Sequence, residues 1–502
     1  MEIFNGLMLG LGVAVSPMSL MLCLLGVTLG TLIGVLPGIG PAATIAMLLP
    51  ITLTLSPLYA LIMLAGIYYG AQYGGSITAI LVNLPGEPSS AVTAIDGYQM
   101  ARQGRAGAAL SIAAIGSFVA GTIATVVIAV ASPALSQIAL RFGAPEFFSL
   151  TLLGIVMVVV LAQGSALKGL GMAVIGLMLG LVGTDVFTAQ TRFTYGIDEF
   201  RSGIDFIAVT IGVFGLAEIM RNLEGNDDEG RRSHAISSLL PTRDEIKRSI
   251  GPVLRGTGLG SLLGVLPGGG AFLASFASYA VEKKLSKHPE EFGKGAIEGV
   301  AGPESANNAG AQTSFIPMLT LGIPSNAVMA LMIGAMIVQG IQPGPQVIVM
   351  QPELFWGLIA SMWIGNVLLV ILNLPLVGLW VRLLRVPYSV LFPGIVAFCC
   401  IGTFTTNGLE IELYVLAIAG LAGYLFSRLG CAPAPFLLGF VLGPMVEEHF
   451  RRAMLISQGD AAVFFTRPIS AALMLLAFGL AATMFVPALL GWRKRVFADA
   501  EE

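Results

Sequence analysis

Two runs of polar side chains stand inside otherwise apolar sequence. Residues 70–92 read GAQYGGSITAILVNLPGEPSSAV and residues 302–328 read GPESANNAGAQTSFIPMLTLGIPSNAV. The first supplies Gln72, Ser76, Thr78, Asn83, Ser89 and Ser90; the second supplies Asn307, Asn308, Gln312, Thr313, Ser325 and Asn326. Amides and hydroxyls in apolar surroundings are costly unless something satisfies them. Hydrogen bonding between helices is the plainer solution. Replacing the hydration shell of a carboxylate or a metal ion is the functional one. Each residue alone fits either reading, and each cluster as a whole points to a site. Glu304 stands beside Asn307 and Asn308 and can help hold a cation, while Glu87 lies between Pro85 and Pro88. Carboxylates within apolar spans are functional candidates by default, although both of these could equally cap helices. Asp96, near Arg102 and Arg105, reads as a loop or cap residue.

A second constellation is made of backbone. The heptapeptide G-V-L-P-G-x-G occurs at residues 34–40 and again at 264–270, an offset of 230 in a chain of 502 residues. Proline removes a donor and frees a carbonyl, and glycine admits unusual dihedrals. A helix beginning after such a break aims unpaired N–H groups and its positive dipole end at whatever sits there. Anions are held in this way without lysine or arginine, and freed carbonyls can hold Na+. Gly38, Gly40, Gly268, Gly269 and Gly270 are the candidate contacts. A kink is the bland alternative, and the duplication argues against it. Enzyme motifs are missing: there is no H-E-x-x-H and no G-x-x-x-x-G-K-[ST], and His234, His288 and His449 are scattered. The sequence VGTD at 182–185 bears a faint likeness to intramembrane aspartyl motifs, without a convincing partner aspartate. Cys23, Cys399, Cys400 and Cys431 lack metal-ligand spacing and read as small buried hydrophobes. The chain is expected not to be an enzyme and to carry no cofactor.

These groups must be positioned by a membrane-embedded scaffold. Hydrophobic residues make up 56% of the chain and charged residues 11%, with a mean hydropathy of +0.86. A soluble chain needs far more charge to cover its surface. The apolar runs are continuous rather than alternating, so the spans are helices and not barrel strands. They fall near 7–15, 18–36, 42–55, 58–82, 108–131, 147–162, 166–183 and 204–220, and then near 257–281, 296–301, 313–340, 353–380, 388–404, 411–426, 432–446 and 468–492. Crossing a core of about 30 Å takes ~20 residues, and several runs fall short of that. The expectation is an all-α polytopic membrane protein with roughly ten to twelve transmembrane helices, re-entrant or broken helices and two internal repeats. No basic stretch precedes the first apolar run, which is therefore expected to be retained. The net charge of −3 decides nothing about partners, and no nucleic-acid partner is expected.

The halves match in order. Gly70-Ala71-Gln72 pairs with Gly310-Ala311-Gln312 at an offset of 240, and Pro88-Ser89-Ser90 with Pro324-Ser325-Asn326 at 236. Pro133 and Pro145 pair with Pro375 and Pro387 at 242. Ordered, drifting offsets indicate a diverged duplication, and parallel and inverted repeats both fit. The layout reads as a first transmembrane repeat over 1–220, a polar linker over 221–255 and a second repeat over 256–502. Arg221, Arg231, Arg232, Arg243, Lys247, Arg248 and Arg255 crowd the linker, and Arg493, Lys494 and Arg495 follow the last span. Their charge puts the central loop and the C-terminus in the cytoplasm. Lys283, Lys284, Lys287 and Lys294 join them if 257–281 is a hairpin that enters and leaves on one face.

The segments GTLIGVLPGIGPAATIAMLLP, YYGAQYGGSITAILVNLPGEPSSAVTAIDGYQMARQGRAGAALSIA and GPESANNAGAQTSFIPMLTLGIPSNAVMALMIGAM resemble the large membrane subunit of tripartite tricarboxylate transporters, the TctA family, over about residues 20–448. The resemblance implies a bacterial inner-membrane permease. Its partners would be a small TctB-like membrane subunit and a periplasmic TctC-like solute-binding protein. Its substrates would be citrate-like tri- or dicarboxylates, taken up on an ion gradient rather than ATP. With such a substrate, Gly38, Gly40, Ser89, Ser90, Gly268, Gly269, Gly270, Ser325 and Asn326 are expected to bind it. Gln72, Asn83, Glu304, Asn307, Asn308 and Gln312 are expected to hold the coupling ion. Na+ is preferred to protons because few buried carboxylates are available. A stand-alone carboxylate carrier or channel and an intramembrane hydrolase using Asp185 are the competing readings.

Overall fold

The computed structural model describes residues 2–36, 40–161, 165–224, 239–267, 270–383 and 388–485. Gly38, Arg231, Arg232, His234, Gly268, Gly269, Pro387, Arg493, Lys494 and Arg495 lie outside the described residues. Among the described residues the chain is helical almost throughout. A small sheet pairs Gly183–Thr184 antiparallel with Thr191–Arg192. Among the described residues five helices are long and apolar enough to cross a membrane: Pro17–Val35, Ala106–Ala139, Phe206–Glu224, Pro352–Asn373 and Glu410–Arg428. Shorter apolar helices, among them Pro41–Thr52 and Ala327–Val338, accompany them. Leu25, Val130, Ile175 and Leu421 face outward, whereas Gln72, Glu304, Asn307 and Gln312 are buried. Apolar outside and polar inside is the arrangement a lipid solvent imposes.

Two helix pairs are packed alike. Pro17–Val35 lies on Pro57–Val82, and Arg243–Leu263 lies on Glu298–Thr313. Gly26, Gly30 and Gly34 sit against the carbonyls of Met63, Ile67 and Ala71. Gly256, Gly260 and Gly264 sit against those of Gly302, Ala306 and Gly310. A side chain at any of these six glycines would be driven into the carbonyl facing it, so glycine is what lets the backbones approach. The facing glycines are offset by 230 (Gly26 to Gly256) and the carbonyls they meet by 239 (Met63 to Gly302). The packing register thus falls one residue from the Gly70–Gly310 match in sequence.

The polar run at 302–312 is helical, within Glu298–Thr313, and buried throughout. Hydropathy hides this helix because other helices satisfy several of its polar side chains, Asn308 and Gln312 among them. Ala217–Glu224 and Arg243–Leu263 extend into the polar stretch 221–255 from either side. The second opens on a reciprocal cap: Glu245 N–H donates to Thr242 Oγ1, and Thr242 N–H donates to the Glu245 carboxylate. Arg243–Leu263 and Gly270–Leu285 form a hairpin tied by Arg255 to Glu282, and Arg248 pairs with Glu291 in the turn that follows. The basic residues of both helices therefore gather at its open end.

The helices that follow the two breaks cross to the opposite half. Pro41–Thr52 packs on Ala327–Val338, and Gly270–Leu285 packs on the short turn Pro88–Ser90. Gly270–Leu285 thus meets the proline–serine segment of the other half, and Pro41–Thr52 meets the helix that follows it.

Candidate functional site

Tyr68, Gln72 and Ser76 recur every four residues and share one face of Pro57–Val82. The Tyr68 hydroxyl accepts from Asn326 Nδ2 at 3.2 Å, Gln72 Oε1 accepts from the Ser89 hydroxyl at 3.3 Å, and Ser76 donates to Glu304 Oε2 at 2.7 Å. The first and third of these bonds join the two halves. Asn326 also caps its own helix, its Oδ1 accepting from Met329 N–H at 2.9 Å. A Cβ at Gly270 would stand 3.7 Å from Asn326 Nδ2, so Gly270–Leu285 begins beside that amide. Gly40 precedes Pro41–Thr52; no side chain caps that helix, and a Cβ at Gly40 would meet no atom within 4 Å. Its first N–H groups carry the positive end of the helix dipole. Ser90 donates to the Glu87 carbonyl at 2.9 Å and Ser325 to the Ser314 carbonyl at 3.4 Å, and both serines are buried.

Two carboxyl groups are buried next to this line. Glu304 is 1% exposed, with Oε2 accepting from Ser76 and Oε1 from Thr93. Glu87 is also buried, and its Oε1 has no hydrogen-bond partner. Both amide atoms of the neighbouring Asn307 are unpartnered as well. Among the described residues no basic side chain acts on either carboxyl. Two buried carboxyls within reach of each other remove the scarcity on which the preference for Na+ over protons rests.

Other expected ligands are placed differently. Asn308 and Gln312, one and two turns beyond Glu304, are engaged by other helices. Asn308 Nδ2 donates to Ser117 at 2.6 Å; Gln312 accepts from Thr125 at 2.7 Å and donates to Asn366 at 2.9 Å. These are inter-helix hydrogen bonds, the plainer of the two readings. Asn83 lies apart, exposed, ending Pro57–Val82 in the left-handed conformation at φ 58°. Gly38, Gly268 and Gly269 fall outside the described residues. Asp96 is not in a loop but inside Ala91–Arg102, where its carboxylate accepts from Gly295 N–H, Ala296 N–H and the Tyr279 hydroxyl. Tyr68, Thr93, Ser117, Thr125 and Asn366 escape the sequence reading. Only Tyr68 carried a signal, its position one turn before Gln72.

Asp185 is fully occupied. Its Oδ1 accepts from the N–H groups of Phe187 and Thr188, each at 2.8 Å, and its Oδ2 pairs with Arg451 at 2.7 Å and Arg192 at 3.2 Å. Both arginines also bind Glu447. The Thr188 N–H foremost, then the Phe187 N–H and the two guanidinium groups, hold this carboxyl down to about 2 against the opposing effect of burial.

The sequence profile described as the Tripartite tricarboxylate transporter TctA family matches residues 20–438. A protein of Agrobacterium vitis described as "Uncharacterized 52.8 kDa protein in TAR-I ttuC' 3'region" is 60% identical over 501 residues, covering 100% of each chain. A second from the same organism, "Uncharacterized protein in TAR-II ttuC' 3'region", is 63% identical over 240 residues, which is 48% of this chain and 99% of its own. No solved structure matches.

Proposed function

Because the chain belongs to the tripartite tricarboxylate transporter TctA family, we propose that it is the permease subunit of a binding-protein-dependent importer of tri- or dicarboxylates, driven by an ion gradient. In this reading it sits in the bacterial inner membrane with a TctB-like small subunit and receives substrate from a periplasmic TctC-like protein. Its central loop and C-terminus face the cytoplasm, and 221–255 links a repeat over 1–220 to one over 256–502. The observation that carries the reading is the crossing of each break helix to the other half, one onto Pro88–Ser90 and one onto Ala327–Val338, the helix that follows Asn326. Substrate carboxylates lie by Ser89, Gly270 and Asn326, with Gly40, Ser90 and Ser325 as further contacts, held by helix N-termini, hydroxyls and an amide. Neutral donors suit a site that must also release its anion. The coupling ion, Na+ in this proposal because hydroxyl and amide oxygens surround Glu304, lies by the buried carboxyls.

Uptake of labelled di- and tricarboxylates into proteoliposomes, with the binding protein added and Na+ and proton gradients imposed separately, tests this. Accumulation is expected under the Na+ gradient and only with the binding protein. Uptake without that protein would favour the stand-alone carrier, and no uptake under either gradient would sink the proposal.

A further inference from the structure

Beside Glu304 lies a cavity of about 10 Å³, close to the space one water molecule needs. Its polar lining is Tyr73, Ser76, Ser117, Glu304 and Asn373. We propose that this cavity is a binding site for a dehydrated Na+ ion, held by the Glu304 carboxylate, the Ser76 and Ser117 hydroxyl oxygens and the Asn373 amide oxygen. The ion's part in transport rests on the importer reading above; its binding does not.

The first ground is charge. Thr93 donates to Glu304 Oε1, and Ser76 has one proton for both Glu304 Oε2 and the Gln72 carbonyl at 3.0 Å, which leaves an ionised carboxylate short of full compensation. A charge buried this deeply is costly unless it is paired, and no basic side chain acts on it among the described residues. A small cation supplies the pairing.

The second ground is Asn373, which is independent of the carboxyl. It is the last residue of Pro352–Asn373, 4% exposed, and its Nδ2 donates to the Leu369 carbonyl at 2.8 Å. That bond leaves Oδ1 as the free atom, and it has no hydrogen-bond partner. A buried acceptor is seldom left unmatched, and here it borders the cavity that Glu304 also lines. Ser117 receives Asn308 Nδ2 at 2.6 Å, which fixes its oxygen and still leaves a lone pair. The ligand set is all oxygen, which suits a hard cation. A space of one water excludes a hydrated ion.

The site lies close enough to the substrate line to act on it. Glu304 is within electrostatic reach of Glu87, which stands two residues before Ser89. With both carboxylates uncompensated, their charge repels an incoming carboxylate. Na+ at Glu304 weakens that repulsion, so ion binding favours substrate binding.

Equilibrium binding of radioactive Na+ to the purified full-length protein, with no carboxylate present, tests the site. Saturable binding that K+ does not displace is expected. Asn373→Ala should weaken it about ten- to hundredfold. Asn373→Asp, which keeps the oxygen, should retain it. Melting in K+ buffer identifies any variant that simply fails to fold, and Ser117→Ala serves in its place. Equal Na+ affinity in wild type, Asn373→Ala and Ser117→Ala would overturn the proposal. So would the absence of saturable Na+ binding alongside proton-driven uptake, which leaves the importer standing. Asn373-dependent Na+ binding without carboxylate uptake under any gradient would keep the site and remove the importer.

Discussion

Gly258 and Gly260 stand two residues apart on Arg243–Leu263, and the same substitution is predicted to act on them in opposite directions. A Cβ at Gly260 would collide with the Ala306 carbonyl and lie 2.8 Å from the Ala309 Cβ and 2.9 Å from the Ala306 Cα. None of these is the end of a flexible side chain, so relief requires parting Arg243–Leu263 from Glu298–Thr313. Overpacking of this kind costs about 1–3 kcal/mol. Gly258 is exposed, and a Cβ there meets no atom within 4 Å. Alanine in place of a helix-interior glycine with room to spare gains roughly 0.5–1 kcal/mol. Melting curves of the purified protein should therefore move down for Gly260→Ala and stay level or move up for Gly258→Ala. Gly30→Ala, against the Ile67 carbonyl in the matching pair, should behave like Gly260→Ala. Melting of Gly260→Ala at or above the wild-type temperature would refute close backbone approach as the reason for these glycines.

Tyr68→Phe removes the acceptor of the half-buried Asn326 amide; the loss of one such bond, about 1 kcal/mol, should weaken carboxylate binding roughly fivefold, and an unchanged affinity in a binding isotherm would contradict that role. The Asp185 carboxyl is held at about 2, below the ~3.9 of an unfolded chain. A depressed folded value means its stabilisation is complete above pH ~4 and is lost as the pH falls toward 2. Wild-type melting should decline more steeply over that window than that of Asp185→Asn, and parallel profiles would show that the pairs of Asp185 with Arg192 and Arg451 do not stabilise the fold. Uptake by Asp185→Asn should persist, because both carboxyl oxygens are structural; its abolition in a folded variant would revive the hydrolase reading.

The helical, membrane-embedded class was legible because lipid demands long apolar runs, and most of the runs coincide with helices. The exception at 302–312 shows why hydropathy fails inside such a protein. Asn308 and Gln312 are satisfied by Ser117, Thr125 and Asn366, so the helix is polar in composition yet buried. The convergence of Asn326, Gly270, Tyr68, Gln72 and Ser89 was partly legible, since both halves announce the same polar segments. Which helix each side chain faces was not, because that depends on the crossing of the break helices. Asn83 could have been set aside from its sequence context: Leu84 and Pro85 follow it, and a helix stops before a proline. Asn373 carried no signal at all, standing alone at the end of an apolar run.

The central claim is a carboxylate site shared by both halves. Equilibrium binding of labelled di- and tricarboxylates to the purified full-length protein tests it most directly, comparing wild type with Ser89→Ala from the first half and Asn326→Ala from the second. Weakened binding in both variants, with folding intact, is the predicted result. Wild-type affinity in either one would contradict a site built across the halves.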